Sequence, residues 1–133
     1  MTKTLVSHVG IAVRDLDSAI KSYIVLTGSQ NSAVENIESE KVKVAMFSSE
    51  GGRIELLAST SEDSPIAKFI NNRGEGLHHI CIYVDNIESK LRELKEAGIK
   101  VIDDTYRRGS EGKRVAFVHP RDLNGVLIEL EEK

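Results

Sequence analysis

Hydrophobic and polar positions follow the same order in the two halves of this chain. Each half begins with a segment that is typical of a strand, because its residues are apolar or alternate between apolar and polar. A segment with apolar residues at helical spacing follows it. The elements predicted for the first half are a strand over 5–13, a helix from Asp15 or Asp17 to about Leu26 that Gly28 ends, and strands over 41–49 and 52–58 joined by a glycine-rich turn.

The second half repeats this order after a short helix and a glycine-rich linker over 73–76. Ser64 and Pro65 are typical of the start of that short helix. The elements predicted for the second half are a strand over 77–84, a helix over 86–97 that Gly98 ends, a short strand near 99–102, and strands over 114–119 and 125–131. Each half therefore reads βαβββ, which predicts an α+β fold made of two βαβββ modules in tandem.

The two halves also match residue by residue. His8, in the string HVGIAVRDLDSAIKSY, matches His79, in HICIYVDNIESKLREL, at an offset of 71 residues. Glu55, in RIELL, matches Glu129, in LIELE, at an offset of 74 residues. A unit that presents one histidine early and one glutamate late, and occurs twice, predicts that these four side chains converge.

The length suits one domain rather than two. With 133 residues, the chain can bury one sizeable core but not two independent ones. We therefore expect a single domain over 1–133, in which the first repeat covers about 5–58, the linker helix about 64–72 and the second repeat about 77–131.

Composition and charge narrow the class of protein further. Aromatic residues make up 5% of the chain and Trp is absent, so the core must be aliphatic, and the net charge of −3 gives no sign of a nucleic-acid-binding surface. The single cysteine, Cys81, excludes an intrachain disulfide and lies in an apolar strand, where a small buried thiol is expected. No apolar run reaches membrane-spanning length and no secretion signal is apparent, so we expect a cytoplasmic protein without a membrane partner.

The repeated histidines and glutamates predict a metal site. Taken singly, each Glu is better explained by a solvated strand face and each His by a structural role. Packing gives no reason to repeat them together, however, and burying an unpaired carboxylate is costly. The donor set of His8, Glu55, His79 and Glu129 suits a six-coordinate divalent ion such as Co, Mn, Ni or Zn, with two positions left for water or substrate. Open positions are typical of Lewis-acid catalysis rather than of a structural zinc site.

Other polar residues have simpler explanations. His78 points to the opposite strand face from His79 and is expected to be structural or to support a ligand, and His119 is given no role. Four cations flank the loop over 109–112, and either phosphate binding or a solvated hairpin explains them equally well. They are Arg107, Arg108, Lys113 and Arg114.

Four longer strings of the chain resemble those of a known family. They are HVGIAVRDLDSAI, IELL, DSPIAKFINNRGEGLHHICIYVDNI and GKRVAFVHPRDLNGVLIEL, and together they cover most of the chain. The paired βαβββ module with its His, Glu, His, Glu set resembles the vicinal oxygen chelate superfamily. The run from SPIAKF into GEGLHH and the ending HP…NGVLIEL resemble, within it, the methylmalonyl-CoA epimerases.

The resemblance implies a fold, a site and a reaction. The two modules would form a curved mixed sheet around a divalent metal ion held by His8, His79 and Glu129, with Glu55 where some members have Gln. The chain would be a homodimer that epimerises an acyl-CoA substrate, methylmalonyl-CoA, by α-proton transfer through a metal-stabilised enolate. Glu129 is the first candidate for the base, with Glu55 opposite it. Val44 stands where some epimerases carry a second catalytic Glu, so their two-base mechanism does not transfer directly.

Two alternatives stay open. Glyoxalase I (lactoylglutathione lyase) applies the same metal and proton-transfer chemistry to a glutathione hemithioacetal, and the spacing of the four ligands alone resembles it as well. The second alternative is a non-catalytic small-molecule-binding protein of the same fold, although such members generally lack the ligand set.

Overall fold

The computed structural model describes residues 4–133 of the chain. Within this range the helices and strands are, in order, β1 (Val6–Ala12), α1 (Leu16–Thr27), β2 (Glu35–Ile37), β3 (Val42–Phe47), β4 (Arg53–Ser59), α2 (Pro65–Arg73), β5 (Gly76–Val84), α3 (Ile87–Glu96), β6 (Arg107–Arg108), β7 (Arg114–Val118) and β8 (Ile128–Glu132). The order βαβββ occurs on each side of α2, which confirms the predicted α+β class and its two modules.

The helices lie where the sequence predicts them because their starting signals are local. Asp15, Ser64 and Asn86 begin the three helices, each with a side-chain oxygen that accepts a hydrogen bond from a backbone N–H in the first turn. Helix α1 ends at Gly28, whose φ of 70° is accessible to glycine at little steric cost. In the part of the chain that the structure describes, no helix is long and apolar enough to cross a membrane.

One short strand of the second module was predicted in the wrong place. Residues 99–102, all within the described range, form no strand, and the short strand is β6 instead. The reason is the side chain of Asp103, whose carboxylate accepts the N–H of Phe117 at 2.7 Å. Because a side chain takes this position beside β7, the backbone ladder does not continue, and Val101 makes only an isolated bridge to Val118.

Contacts among the described residues divide the chain into two compact units, one of residues 9–78 and one of residues 4–8 and 79–133. Residues 4–8 thus belong with the second repeat, and the N–H of Tyr83 donates to the carbonyl of Leu5 at 2.9 Å. The single domain over 1–133 stays a prediction.

The unit of residues 9–78 is a sheet with a helix on each face. Its strand order is β2-β3-β4-β1, and the pairs β2/β3 and β3/β4 are antiparallel. Because successive side chains of a strand point to opposite faces, β3 and β4 supply two aliphatic clusters. One cluster contains Ile66 and Ile70 of α2, and the other contains Leu16 of α1 and Phe47.

The unit of residues 4–8 and 79–133 contains a sheet with two different faces. Its strand order is β5-β8-β7-β6, with β5/β8 parallel and the other pairs antiparallel, so the sheet is mixed. The side chains that pack against Ile87 and Leu91 of α3 are Ile82, Val84, Ala116, Val118, Ile128 and Leu130. The alternate residues of the same strands, among them the paired row Cys81, Glu129 and Phe117, point to the opposite face. That face carries the buried polar residues His79, Glu129 and Glu131.

Candidate metal centre

Three of the four predicted ligands converge in the unit of residues 4–8 and 79–133. His8 lies on β1, His79 on β5 and Glu129 on β8. The Nε2 atom of His8 is 3.1 Å from the Nε2 atom of His79 and 3.1 Å from Oε1 of Glu129. The His79 Nε2 atom is also 3.1 Å from that oxygen. The three atoms form an equilateral triangle, so their lone pairs can be directed at one point.

These side chains are almost fully withdrawn from solvent. His8, His79 and Glu129 are 3%, 4% and 8% exposed, so water contributes little to stabilising their charges. The two imidazole rings are nearly perpendicular, at 86° with centroids 5.2 Å apart. The ring of Phe117 meets that of His79 at 84° with a centroid distance of 5.9 Å. Packing therefore fixes the ring orientations that bring both Nε2 atoms toward Glu129.

The charge of Glu129 is set by its two histidine neighbours. Burial raises the pKa of this carboxyl group, but its contacts with His79 and His8 outweigh that effect and lower the pKa to about 2. Glu129 is therefore ionised at neutral pH, as a metal ligand must be. Its negative charge and the two imidazole nitrogens are a donor set that suits a first-row divalent cation.

The spacing of the three atoms is suitable for such an ion. Ligand atoms 3.1 Å apart, each about 2.1 Å from an ion, would subtend an angle of about 95° at it. That angle is closer to the 90° of octahedral coordination than to the roughly 109° of a tetrahedral site. The donor set and its spacing thus fit a six-coordinate ion with three protein ligands on one face.

A second group of potential metal ligands lies beside the first. The ligand atoms of His8, Cys81 and Glu131 are also within 4.8 Å of one another, and all three residues are buried. Burial raises the pKa of the Cys81 thiol to about 12, so it is protonated at neutral pH and is a poor ligand as it stands. The group of His8, His79 and Glu129 is therefore the better candidate. Cys81 is the buried thiol that the sequence predicts.

The fourth predicted ligand, Glu55, belongs to the unit of residues 9–78. It lies on β4 opposite Met46 of β3 and is 4% exposed. Glu55 and Glu129 are thus both buried carboxylates on strands, so the explanation by a solvated strand face is wrong for each. The role of Glu55 as a metal ligand stays a prediction.

Two further histidines have structural surroundings. The ring of His78 meets that of Phe69 at 84°, with centroids 4.9 Å apart. The Nδ1 atom of His119 accepts a hydrogen bond from the backbone N–H of Arg121 at 2.9 Å and so caps the turn that follows β7.

Three of the four cations near the 109–112 loop have protein partners. Arg107 pairs with Asp103 at 2.9 Å, and the guanidinium groups of Arg108 and Arg114 lie 5.5 and 4.5 Å from the centroid of the Tyr106 ring. These contacts favour a structural explanation for these cations.

Sequence reasoning missed two buried polar residues beside His8. Ser7 and Glu131 are 2% and 4% exposed, and the Ser7 hydroxyl oxygen lies 3.0 Å from Nδ1 of His8 and 3.2 Å from Oε1 of Glu131. The repeat does not reveal them, because Ser7 matches His78 and Glu131 matches Leu57. The available signal was strand alternation, which places Glu131 on the same face of β8 as Glu129.

The chain matches known proteins over almost its full length. Residues 7–117 match the Glyoxalase/Bleomycin resistance protein/Dioxygenase superfamily. The chain is 40% identical over 127 residues to the mitochondrial methylmalonyl-CoA epimerase of Homo sapiens. The matched residues make up 95% of this chain and 72% of the human protein.

Two solved structures extend the match to the fold. The structure of a hypothetical protein from Bacillus halodurans C-125 matches with a TM-score of 0.95 and 42% identity. The match covers 99% of this chain and 96% of the Bacillus halodurans chain. A methylmalonyl-CoA epimerase in complex with methylmalonyl-CoA and NH4+ has a TM-score of 0.90 and 36% identity, with coverage of 99% and 96%. The expected vicinal oxygen chelate fold is thereby confirmed. The chain belongs to the Glyoxalase/Bleomycin resistance protein/Dioxygenase superfamily and, within it, to the methylmalonyl-CoA epimerase family.

Proposed function

We propose that this chain epimerises methylmalonyl-CoA by removing the proton of its α-carbon and returning a proton to the opposite face. The observation that carries the proposal is the convergence of His8, His79 and Glu129 at one buried point. It occurs in a chain that is 40% identical to a methylmalonyl-CoA epimerase and has the fold of another that binds methylmalonyl-CoA.

We propose that His8, His79 and Glu129 hold a divalent ion, with Glu55 as the fourth ligand. Co, Mn, Ni and Zn all bind such donor atoms, and the spacing of the three atoms favours a six-coordinate ion. When bound, the ion supplies positive charge that attracts the thioester carbonyl and carboxylate oxygens of the substrate and makes its α-proton more acidic.

Inversion requires a proton acceptor and a proton donor on opposite sides of the α-carbon, and Glu129 and Glu55 are the proposed pair. The lowered pKa keeps Glu129 ionised, as both a ligand and a base must be, but it also weakens this carboxylate as a base. Val44, at the place where some epimerases have a catalytic Glu, cannot carry a proton. Glu55 is therefore the first residue to test as the second proton carrier.

The decisive experiment is incubation of the metal-loaded protein with one epimer of methylmalonyl-CoA in deuterated water. We expect deuterium at the α-carbon together with formation of the other epimer, both followed by NMR. Turnover of the methylglyoxal–glutathione hemithioacetal with inert methylmalonyl-CoA would instead assign the chain to glyoxalase I. Tight binding of methylmalonyl-CoA with neither exchange nor inversion would assign it to the non-catalytic binding proteins.

Replacing Glu55 by Gln tests its proposed role directly, because Gln keeps the size and one oxygen ligand but not the basicity. We expect metal to remain bound and exchange to fall by roughly a hundredfold from one epimer more than from the other. Near-full activity would show that Glu55 is at most a ligand. The second base would then be sought among Glu35, Glu38 and Glu40.

A homodimer and a cytoplasmic location, both expected from the sequence, stay predictions. Light scattering coupled to gel filtration tests the first by measuring the mass of the particle in solution, which for a dimer is twice the chain mass of 14.7 kDa.

A further inference from the structure

A buried chain of hydrogen bonds leads away from the metal-facing side of His8. The Nε2 atom of this ring faces His79 and Glu129, and its other nitrogen, Nδ1, lies 3.0 Å from the Ser7 hydroxyl oxygen. The same hydroxyl donates to Oε1 of Glu131 at 3.2 Å. Ser7, His8 and Glu131 are each at most 4% exposed, so these bonds do not compete with bulk water.

The protons that Ser7 and His8 carry determine which atom donates in each of these hydrogen bonds. A serine hydroxyl has one proton to donate, and the Ser7 hydroxyl donates it to Oε1 of Glu131 at 3.2 Å. The Ser7 proton therefore goes to Glu131, and the Ser7 oxygen must accept the bond that joins it to His8. The His8 Nδ1 atom then carries the ring proton, because a neutral imidazole has one N–H donor and one acceptor nitrogen.

We infer that Ser7 and Glu131 are positioning residues that hold His8 in the Nδ1–H tautomer and thereby present the Nε2 lone pair to His79 and Glu129. The inference deepens the proposed metal centre, since a histidine ligates a metal only through a nitrogen that carries no proton. Histidine ligands generally donate their second N–H to a carboxylate, a carbonyl or water, and here a serine transmits that contact to a carboxylate.

Glu131 is a second buried acidic residue beside the site. The Glu131 oxygen lies 3.2 Å from the Ser7 hydroxyl oxygen and 4.0 Å from the Cys81 sulfur, and it is not among the three atoms that converge at the proposed metal centre. Its effect on a bound ion is therefore expected to be smaller than that of the ligand Glu129.

The tautomer is measured by two-bond proton–nitrogen correlation NMR of the imidazole rings in the metal-free protein at mildly alkaline pH. We expect Nδ1 of His8 to be protonated and Nε2 to be unprotonated. In Ser7→Ala, we expect the proton to move partly or wholly to Nε2, where it can be donated to Glu129. A wild-type His8 protonated at Nε2 would overturn the inference, and this measurement requires neither a variant nor a bound metal.

The second readout is metal affinity, measured by competition with a chelator for Co or Mn. Removing the partner of a ligating histidine typically weakens metal binding by about 10–100-fold, and we expect that loss in Ser7→Ala and in Glu131→Ala. Glu131→Gln, which keeps an acceptor for the Ser7 hydroxyl but not the charge, should lie between these variants and the wild type. Glu132→Gln, one residue further along β8, is the matched control and should bind metal as the wild type does.

The two readouts separate this inference from the proposed metal centre. A wild-type protein that binds no divalent ion would refute the metal centre, and the NMR experiment would still decide the tautomer of His8. A wild-type protein that binds the ion, together with a Ser7→Ala variant of equal affinity and unchanged His8 tautomer, would refute only the positioning role of Ser7 and Glu131.

Discussion

The two faces of the β5-β8-β7 sheet are buried to nearly the same extent and have opposite chemistry. Leu130 is 2% exposed and packs toward α3, whereas its neighbours Glu129 and Glu131 on the same strand are 8% and 4% exposed and lie on the opposite face. Burial of one leucine stabilises a fold by roughly 1.5–3 kcal/mol, whereas burial of an unpaired carboxylate costs several kcal/mol. The same degree of burial therefore supports the fold on one face and opposes it on the other.

The polar face is tolerated because its charges have partners. Glu129 has two histidine neighbours, and Glu131 accepts the Ser7 hydroxyl. Stability should therefore depend on the α3 face and metal binding on the opposite face. Variants of one face should therefore leave the property of the other nearly unchanged.

The largest effect is expected from Leu91→Ala in α3. Leu91 is 2% exposed within the apolar cluster, and truncating such a side chain typically costs about 2–5 kcal/mol of unfolding free energy. We expect urea denaturation of the metal-free protein to show this loss, while metal affinity under native conditions stays close to that of the wild type. A loss of affinity larger than about tenfold would show that the two faces are not independent.

The next effect is that of Glu129→Gln on the opposite face. The change keeps an oxygen ligand but removes the charge and the basicity, so epimerisation at saturating metal should fall by roughly a hundredfold or more, equivalent to about 2.7 kcal/mol. Glu132→Gln is the control on the same strand. The Glu132 carboxylate accepts the N–H of Ile87 at the start of α3, a bond that Gln can also accept, so turnover should be retained. Equal losses in both variants would contradict the assignment of the site to one face.

The sequence predicted the elements whose signals are local. Asp15 and Ser64 cap the helices that follow them, and such contacts span only a few residues. The strand expected over 99–102 is replaced by a tertiary contact, the hydrogen bond between the Phe117 N–H and the Asp103 carboxylate.

The candidate site was predictable only as far as the repeat extends. His8, His79 and Glu129 were found because the repeat aligns each with a residue of the same type in the other half. Ser7 and Glu131 break the repeat, and the hydrogen bond that joins them spans 124 residues. No local pattern encodes such a contact, so the second partner of His8 became visible only in three dimensions.

Metal addition tests the polar face without a mutation. An ion that binds only the folded state stabilises it by about 1.4 kcal/mol when its free concentration is ten times the Kd. We therefore expect Co or Mn to raise the Tm of the metal-free protein and chelation to reverse the change. The rise should persist in Leu91→Ala and shrink in a His79→Ala variant. No thermal shift with any first-row divalent ion, and no metal in elemental analysis, would contradict the metal centre.

The smallest effect is expected from Asn86→Ala, which removes the cap of α3. The Asn86 side chain accepts the Ser89 N–H at 2.8 Å, and loss of such a cap typically costs about 1 kcal/mol. Because Asn86 is exposed and supports only the helix on the apolar face, we expect a slightly lower Tm with unchanged metal affinity and turnover. Unlike Leu91→Ala, this variant perturbs α3 without leaving a cavity against the sheet. If turnover fell in Asn86→Ala while metal stayed bound, the position of α3 would matter for catalysis, and the apolar face would be more than a scaffold for the site.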